Sequence, residues 1–335
     1  MLKGRYYFML FKVNLLTFNL NSSLNIMETV LITGGSGMLG TALTEHLLKK
    51  GYHVIILTRK LPKENGLPKN LSYALWNVNA ETIDFNAIKK ADHIIHLAGA
   101  GVVDKKWTDA YKKEILESRT ESSFLLVNAL KKNSNNVKTV VSASAIGWYG
   151  ADSAKGKHFI ETDNADNSFL GETCKEWEQS IEPVTLLGKR LVKLRIGIVL
   201  SNTGGALSEF KKPLYAGVAG ILGDGKQMVS WVHIDDLCRL FIYGIENKNL
   251  AGVYNAVAPI PVSNKVLTLE LAKQMKGKLF IPLHVPVFVL KLMLGTRSVE
   301  VLKSTTVSDA KILKTGFLFN YPTITLALEE LCKKN

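Results

Sequence analysis

The segment from Thr29 to Gly51, TVLITGGSGMLGTALTEHLLKKG, restricts the possible folds more than any other part of the chain. Val30, Leu31 and Ile32 suit a buried parallel strand, and Leu39, Leu43, Leu47 and Leu48 recur at three- and four-residue steps along a helix that ends at Gly51. Between strand and helix, Gly34, Gly35, Gly37 and Gly40 meet two spacings at once, G-x-G-x-x-G from Gly35 and G-x-x-G-x-x-G from Gly34. A turn this tight needs residues that tolerate positive φ, and an anion reaches a helix N-terminus only where no Cβ intervenes. The order strand, glycine turn, helix therefore predicts the first βα unit of a dinucleotide-binding domain, its diphosphate resting on backbone N–H groups. Gly34, Ser36, Gly37, Met38 and Leu39 are the candidate residues of that cradle.

The second strand, His53 to Leu57, runs into Thr58-Arg59-Lys60, where an NAD enzyme would carry an acidic residue on the ribose 2′-hydroxyl. No carboxylate there repels a 2′-phosphate, and Arg59 is suited to hold one by charge-assisted hydrogen bonds, which favours NADP(H). The competing reading of these residues is a solvated basic turn.

Further along, Leu71 to Trp76 reads as a third strand, Asp84 to Lys90 as a short helix, and His93 to Ala98 as a fourth strand opening into Gly99-Ala-Gly101. Small residues after that strand let more of the dinucleotide approach the backbone, so Leu97, Ala98 and Gly99 join the candidate site. His93 and His96 point to opposite faces of their strand and are not expected to share a metal. A helix from Trp107 to Lys132 leads to a fifth strand, Lys138 to Ser144, and a helix from Asn167 to Gly188 leads to a sixth, Leu191 to Leu200. Loops and glycines dominate from Ser201 to Met228, SWVHI precedes Asp235 or Asp236 as an N-cap, and Val253 to Ala258 forms a last core strand.

This alternation predicts a doubly wound parallel α/β sheet of the Rossmann type with a smaller, mainly helical C-terminal lobe. The expected division is a cofactor domain over 27–262, with 201–228 contributing to the substrate lobe, and a lobe over 263–335 that caps the cleft. Residues 1–26 carry three basic and no acidic residues, but Lys12 and Asn14 break the apolar run and no small-x-small cleavage site follows. They read as a non-structural extension, with Met27 as the working start.

The formal charge of +13 is spread along the chain, mostly as Lys-Lys pairs at helix ends without interleaved aromatics, which argues against a nucleic-acid groove. Cys174, Cys238 and Cys332 form no CxxC pair and suggest neither disulfides nor zinc, consistent with the cytoplasm. The apolar run Ile281–Leu294 is interrupted by Pro282, His284, Pro286 and Lys291, so no membrane anchor is expected. The expected partner is a small-molecule substrate, and the expected assembly a monomer or homodimer.

With these pieces in place, the chain resembles an extended short-chain dehydrogenase/reductase of the sugar-nucleotide epimerase/dehydratase type, from Met27 to near its end. The segments ITGGSGMLG, HLAGAGVVDKKW, ESRTESS, SASAIGWYG, CKEWE, RIGIVLS, SWVHIDDL and NAVAPIPVSN resemble the branch called epimerase family proteins, which carry a small C-terminal domain of unknown function. The resemblance implies an NADP(H)-binding oxidoreductase or epimerase whose substrate is a nucleotide sugar or a carbonyl compound.

Competent members of the wider superfamily use a Tyr-x-x-x-Lys pair, in which Lys lowers the Tyr pKa and the phenol moves the substrate proton. The helix register puts Leu170 and Cys174 at those two positions, and neither side chain can replace its counterpart. The Ser of the usual triad falls at Ser144 or, without a gap, at Ala145. Ser144, Tyr149 and Cys174 are the candidate catalytic residues, with Glu172 as a further titratable group nearby. Arg119 replaces an Asn common in the superfamily, and faces the cofactor or a substrate anion unless Glu117 or Glu121 pairs with it. Two readings follow: an oxidoreductase or epimerase with substituted proton-transfer groups, and a non-catalytic NADPH-binding sensor or interaction protein.

Overall fold

The computed structural model describes residues 27–63, 66–152 and 156–333, so the expectation for 1–26 lies outside the described residues. The chain begins with β1 (Thr29–Thr33), α1 (Met38–Lys49), β2 (His53–Thr58) and β3 (Leu71–Asn77). There follow β4 (Thr82–Ile83), α2 (Phe85–Lys90), β5 (His93–His96), α3 (Asp109–Lys132), β6 (Thr139–Ala145), α4 (Phe169–Ile181) and β7 (Arg190–Ile196). The middle of the chain holds β8 (Ile198–Leu200), α5 (Ala206–Tyr215), β9 (Val218–Leu222), β10 (Met228–Val229), β11 (Trp231–His233), α6 (Ile234–Glu246) and β12 (Gly252–Ala256). The last part is β13 (Val262–Ser263), α7 (Asn264–Lys276), β14 (Ile281–Val285), α8 (Val287–Leu294), α9 (Ser298–Leu302), α10 (Ala310–Leu313) and α11 (Ile324–Cys332).

One eight-stranded sheet runs in the order β12-β7-β6-β5-β1-β2-β3-β4, parallel throughout except for the short edge strand β4. The strand order reverses at β1, which pairs with β2 on one side and β5 on the other, so a crevice opens between the carboxyl ends of β1 and β5. Alternation along β1 sorts its side chains into two layers. Val30 and Ile32 pack with Leu43 and Leu47 of α1 and Phe241 of α6, whereas Leu31 packs with Ile88 of α2 and Leu126 of α3. Each of these fully buried aliphatic side chains contributes about 2 kcal/mol by leaving water. The doubly wound architecture read from the sequence is the one observed.

Two local expectations differ. The sixth strand does not run unbroken from Leu191 to Leu200: β7 ends at Ile196, and β8 leaves the main sheet to pair in parallel with β11. Gly197 makes the break, because its N–H donates to Ala256 O while a Cβ there would lie 2.7 Å from Ser230 O. The N-cap of α6 is His233, whose ring accepts from Asp235 N, not either aspartate. Asp236 is fully buried and spends its carboxylate on Asn320 N and Tyr321 N, 2.9 and 2.8 Å away, and on Arg239.

The lobe has its own core, in which Leu207 and Leu214 of α5 meet Leu267 and Leu271 of α7 and Leu328 and Leu331 of α11. That core draws on residues either side of position 263, and Ile312 and Phe317 return to pack on the main sheet. Among the described residues, no helix is long and apolar enough to cross a membrane.

Candidate functional site

The glycines of the turn after β1 divide the work. Gly34 takes φ +70°, and a Cβ there would come within 2.9 Å of the Leu97 carbonyl carbon, so the turn can lie directly against the strand end beside it. At Gly40 a Cβ would overlap the Gly34 carbonyl oxygen, which fixes how closely α1 approaches the turn. Gly37 differs. A Cβ there would meet only one protein atom, Gly34 O at 3.4 Å, so packing within the chain does not demand glycine. The space is kept clear directly over the first turn of α1, which Gly37 starts with no side-chain cap. The N–H groups of Met38 and Leu39 therefore sit at an uncapped helix N-terminus, where a diphosphate is stabilised by donors and dipole together. Ser36 and Gly37 are exposed there, and Gly204 and Gly205 approach the Met38 sulfur from across the crevice. This cradle fits a dinucleotide diphosphate. Arg59 and Lys60 stand exposed at the end of β2, on the flank where the adenosine ribose would lie, in a turn closed by Thr58 Oγ1 to Lys60 O at 3.0 Å.

On the other side of β1, Thr33 Oγ1 accepts from Leu97 N at 3.0 Å and Ala98 N at 3.1 Å, which pins the Leu97–Gly99 backbone beside the glycine turn. With its lone pairs taken, the hydroxyl donates to His96 Nδ1 at 2.8 Å, so the imidazole proton is on Nε2 and donates to Ser123 Oγ at 3.0 Å. Full burial pushes the His96 pKa down to about 4 and keeps the ring neutral. Ser123 in turn donates to Arg119 O, so the chain of bonds ends on the helical turn that carries Arg119.

Arg119 lies against Gly99, where a Cβ would come within 3.1 Å of its Cγ and Cζ. Its Nη1 donates to Ala100 O and Ile115 O, and its guanidinium sits 4.9 Å over the Trp177 ring. Neither Glu117 nor Glu121 pairs with it, and Glu117 is engaged by Lys113 instead. Leu170 and Cys174 occupy one face of α4 and both front the turn after β6. A Cβ on Gly147 would lie 3.2 Å from Leu170 Cβ and 3.6 Å from Cys174 Sγ. Burial, reinforced by Glu178 and opposed by Arg119, pushes the Cys174 thiol up to about 12, so it is a neutral S–H.

Behind this face runs a buried polar chain. Ser144 Oγ donates to Glu178 Oε1 at 2.7 Å, and Arg195 grips the same carboxylate through Nε at 2.8 Å and Nη2 at 3.1 Å. Arg195 Nη1 reaches Tyr149 Oη at 3.0 Å, and Tyr149 donates to Asn255 Oδ1 at 2.6 Å. Burial raises the Tyr149 pKa to about 12 against the opposing pull of Arg195. Ser144, Tyr149 and Cys174 thus all border one stretch of wall, the first two through this network and the third at its front. Glu178, Arg195 and Asn255 escape a sequence reading that looks only for reactive groups. Their signal is a charge or amide within otherwise apolar runs, as in LVKLRIGIVL.

The description NAD dependent epimerase/dehydratase family matches residues 30–170, and a domain of unknown function, DUF1731, matches 285–331. An epimerase family protein of Staphylococcus aureus (strain MRSA252) is 35% identical over 311 residues, covering 92% of this chain and all of that protein. The corresponding protein of Staphylococcus saprophyticus is 36% identical over 309 residues, covering 91% of this chain and 99% of that one. Among solved structures, the human epimerase family protein SDR39U1 (isoform 2), crystallised with NADPH, superposes with a TM-score of 0.78 at 26% identity, covering 91% of this chain and 99% of that one. A nucleoside-diphosphate sugar epimerase from Corynebacterium glutamicum gives 0.71 at 31% identity, covering 91% of this chain and 58% of that one. With its sheet order, its glycine cradle and this end-to-end likeness, the chain belongs to the epimerase family proteins, a branch of the extended short-chain dehydrogenase/reductases.

Proposed function

We propose that this protein binds NADP(H) and uses it in oxidoreductase or epimerase-type chemistry on a small carbonyl compound or nucleotide sugar. The observation that carries the reading is the space kept clear over Gly37 at the uncapped N-terminus of α1, with Arg59 rather than an acid at the end of β2. Gly34 and Ser36 shape the cradle, Gly37, Met38 and Leu39 hold the diphosphate, and Arg59 holds the 2′-phosphate. Leu97, Ala98 and Gly99 present backbone to the cofactor, and Arg119 stands at its nicotinamide end. The bound nicotinamide supplies or accepts a hydride. Cys174 fronts the reacting region as a neutral thiol, while Ser144 and Tyr149 act through the Glu178–Arg195 chain that orients the wall. In this reading the cofactor domain spans 27–262, with 201–228 contributing to the substrate lobe of 263–335, and the protein works in the cytoplasm as a monomer or homodimer.

The second reading, an NADPH-loaded sensor without turnover, is favoured by one observation. Leu170 and Cys174 fill the face where proton-transfer groups would stand, and the Tyr149 hydroxyl is bonded on both sides. Titration of the protein with NADPH and NADH, followed by nicotinamide fluorescence, tests the shared part, and NADPH is expected to bind more tightly. Equal affinities would remove the NADP assignment. Loss of NADPH absorbance across a panel of carbonyl compounds and nucleotide sugars separates the two readings, because the sensor oxidises no cofactor.

A further inference from the structure

Arg119 stands at the crevice with its charge unanswered. The residue is 9% exposed, and Nη1 is the donor committed to protein, serving the Ala100 and Ile115 carbonyls. Burial lowers its pKa, and the groups that oppose this are Cys174 and Tyr111, with no carboxylate among them. A guanidinium nevertheless stays protonated at neutral pH. Nε and Nη2 have no acceptor among the described residues. Neither is among the sealed, unpartnered polar atoms of the described residues. A cation held this way in a low-dielectric wall is costly until an anion answers it.

Position decides whose anion it is. The diphosphate belongs over Gly37 and the 2′-phosphate at Arg59, both on the β1–β2 side of the crevice. Arg119 lies on the β5 side, against Gly99, Trp177 and the Cys174 face of α4, and the nicotinamide ring and its ribose carry no anion of their own to answer it. The two open donors share one edge of the planar guanidinium, a fork that matches the two oxygens of a carboxylate. Arg297 of the lobe donates to Val103 O at 2.6 Å, three residues along the chain from Ala100, whose carbonyl Arg119 holds.

We propose that Arg119 receives the carboxylate of the substrate, and that the substrate class is a carbonyl compound with a carboxylate close to its reacting carbon. This rests on the cofactor reading above. Reduction of such a substrate converts C=O to CH–OH, with a hydride from NADPH, which leaves as NADP+, and a proton from solvent.

The test uses the full chain loaded with NADPH and titrated calorimetrically with oxalate, neutral oxamide and inorganic phosphate. Oxalate is expected to bind and oxamide not, with phosphate weaker than oxalate. Arg119→Gln should weaken oxalate about tenfold or more, and Arg119→Lys should recover part of that loss. Should Arg119→Gln fail to fold, Cys174→Asp carries the test, because a carboxylate of the protein's own beside the guanidinium should displace oxalate with Arg119 intact. NADPH affinity should change less than about twofold in the folded variants, short of the tenfold step that a lost charged contact produces. Oxalate and oxamide binding alike, phosphate binding better than oxalate, or unchanged oxalate affinity in Cys174→Asp would each overturn the proposal. So would an Arg119→Gln protein that loses NADPH but keeps 2′,5′-ADP, since the guanidinium would then serve the cofactor's nicotinamide ribose. If the wild type binds no NADPH, the cofactor reading fails by itself. Oxalate titrated into cofactor-free protein and its Cys174→Asp variant still decides the anion site, with binding abolished by Cys174→Asp supporting it and no binding overturning it.

Discussion

At the scale of single residues, packing within the chain requires glycine at Gly34 and Gly40 but not at Gly37. Spacing alone gives every glycine of this turn a plausible task without telling them apart, because backbone geometry at a strand–helix turn leaves few alternatives to glycine. Gly37→Val is accordingly expected to abolish NADPH and NADH binding together while the melting temperature holds, since the new side chain fills ligand space and not protein space. Retained binding in the folded variant would show that the turn is only structural. Arg59→Ala should cost NADPH about 1–3 kcal/mol and leave NADH nearly unchanged, measured by parallel titrations. Tyr149 illustrates what sequence leaves out. Its place just past a strand end marks it as reactive, but its meaning depends on Asn255 and Arg195, which lie 106 and 46 residues away in the chain. Tyr149→Phe leaves a buried amide oxygen and a guanidinium N–H unpaired, so unfolding stability should fall by about 1–3 kcal/mol. A separate drop in turnover of roughly two to four orders of magnitude would mark the phenol as the acid or base itself.

A hydrophobic period that runs uninterrupted marks its element in the sequence, as in α1, α3 and β6, whereas long-range pairing overrides that period elsewhere. The apolar run from Leu191 to Leu200 carries no local mark that its last three residues join β11. Only Gly197 hints at the break, and its reason lies in Ser230, 33 residues further along. Likewise Asp235 and Asp236 look like caps by composition, while the helix uses His233. The link between β1, β5 and α3 through Thr33, His96 and Ser123 gives a pH dependence with a definite sign. Burial holds the His96 pKa down at about 4 in the folded protein, against the ordinary imidazole value of 6.5 in the unfolded chain, so the unfolded chain binds the extra proton first. Its contribution is therefore full above about pH 6.5 and is lost as the pH falls toward 4, by about 3 kcal/mol over the window. Chemical denaturation at several pH values should show this slope, and His96→Gln should flatten it. An unchanged slope in the variant would assign the acid sensitivity elsewhere.

Over the whole molecule, seven strands of the sheet come from the continuous stretch 29–196, but β12 joins it only after the chain has passed through α5 and β9, and the second core is likewise assembled from separated segments. Residues 1–26 lie outside the described residues, and a protein starting at Met27 is expected to match the full chain in melting temperature and NADPH affinity. A fall of several degrees would mean that the segment packs on the fold. Asp236 joins the two regions: one fully buried carboxylate holds the backbone just before α11 from the first turn of α6. Asp236→Ala should cost about 3 kcal/mol and make the C-terminal segment exchange amide hydrogens faster than the main sheet. Equal protection of both regions would show that the clamp is dispensable. The same arrangement orders events during synthesis. Until α11 has left the ribosome, Leu207, Leu267 and Leu271 lack the partners that Leu328 and Leu331 supply, so a nascent chain carries an uncovered apolar face. The second core is complete only once α11 is in place. Premature termination in that stretch would release a chain prone to aggregate rather than a smaller working protein.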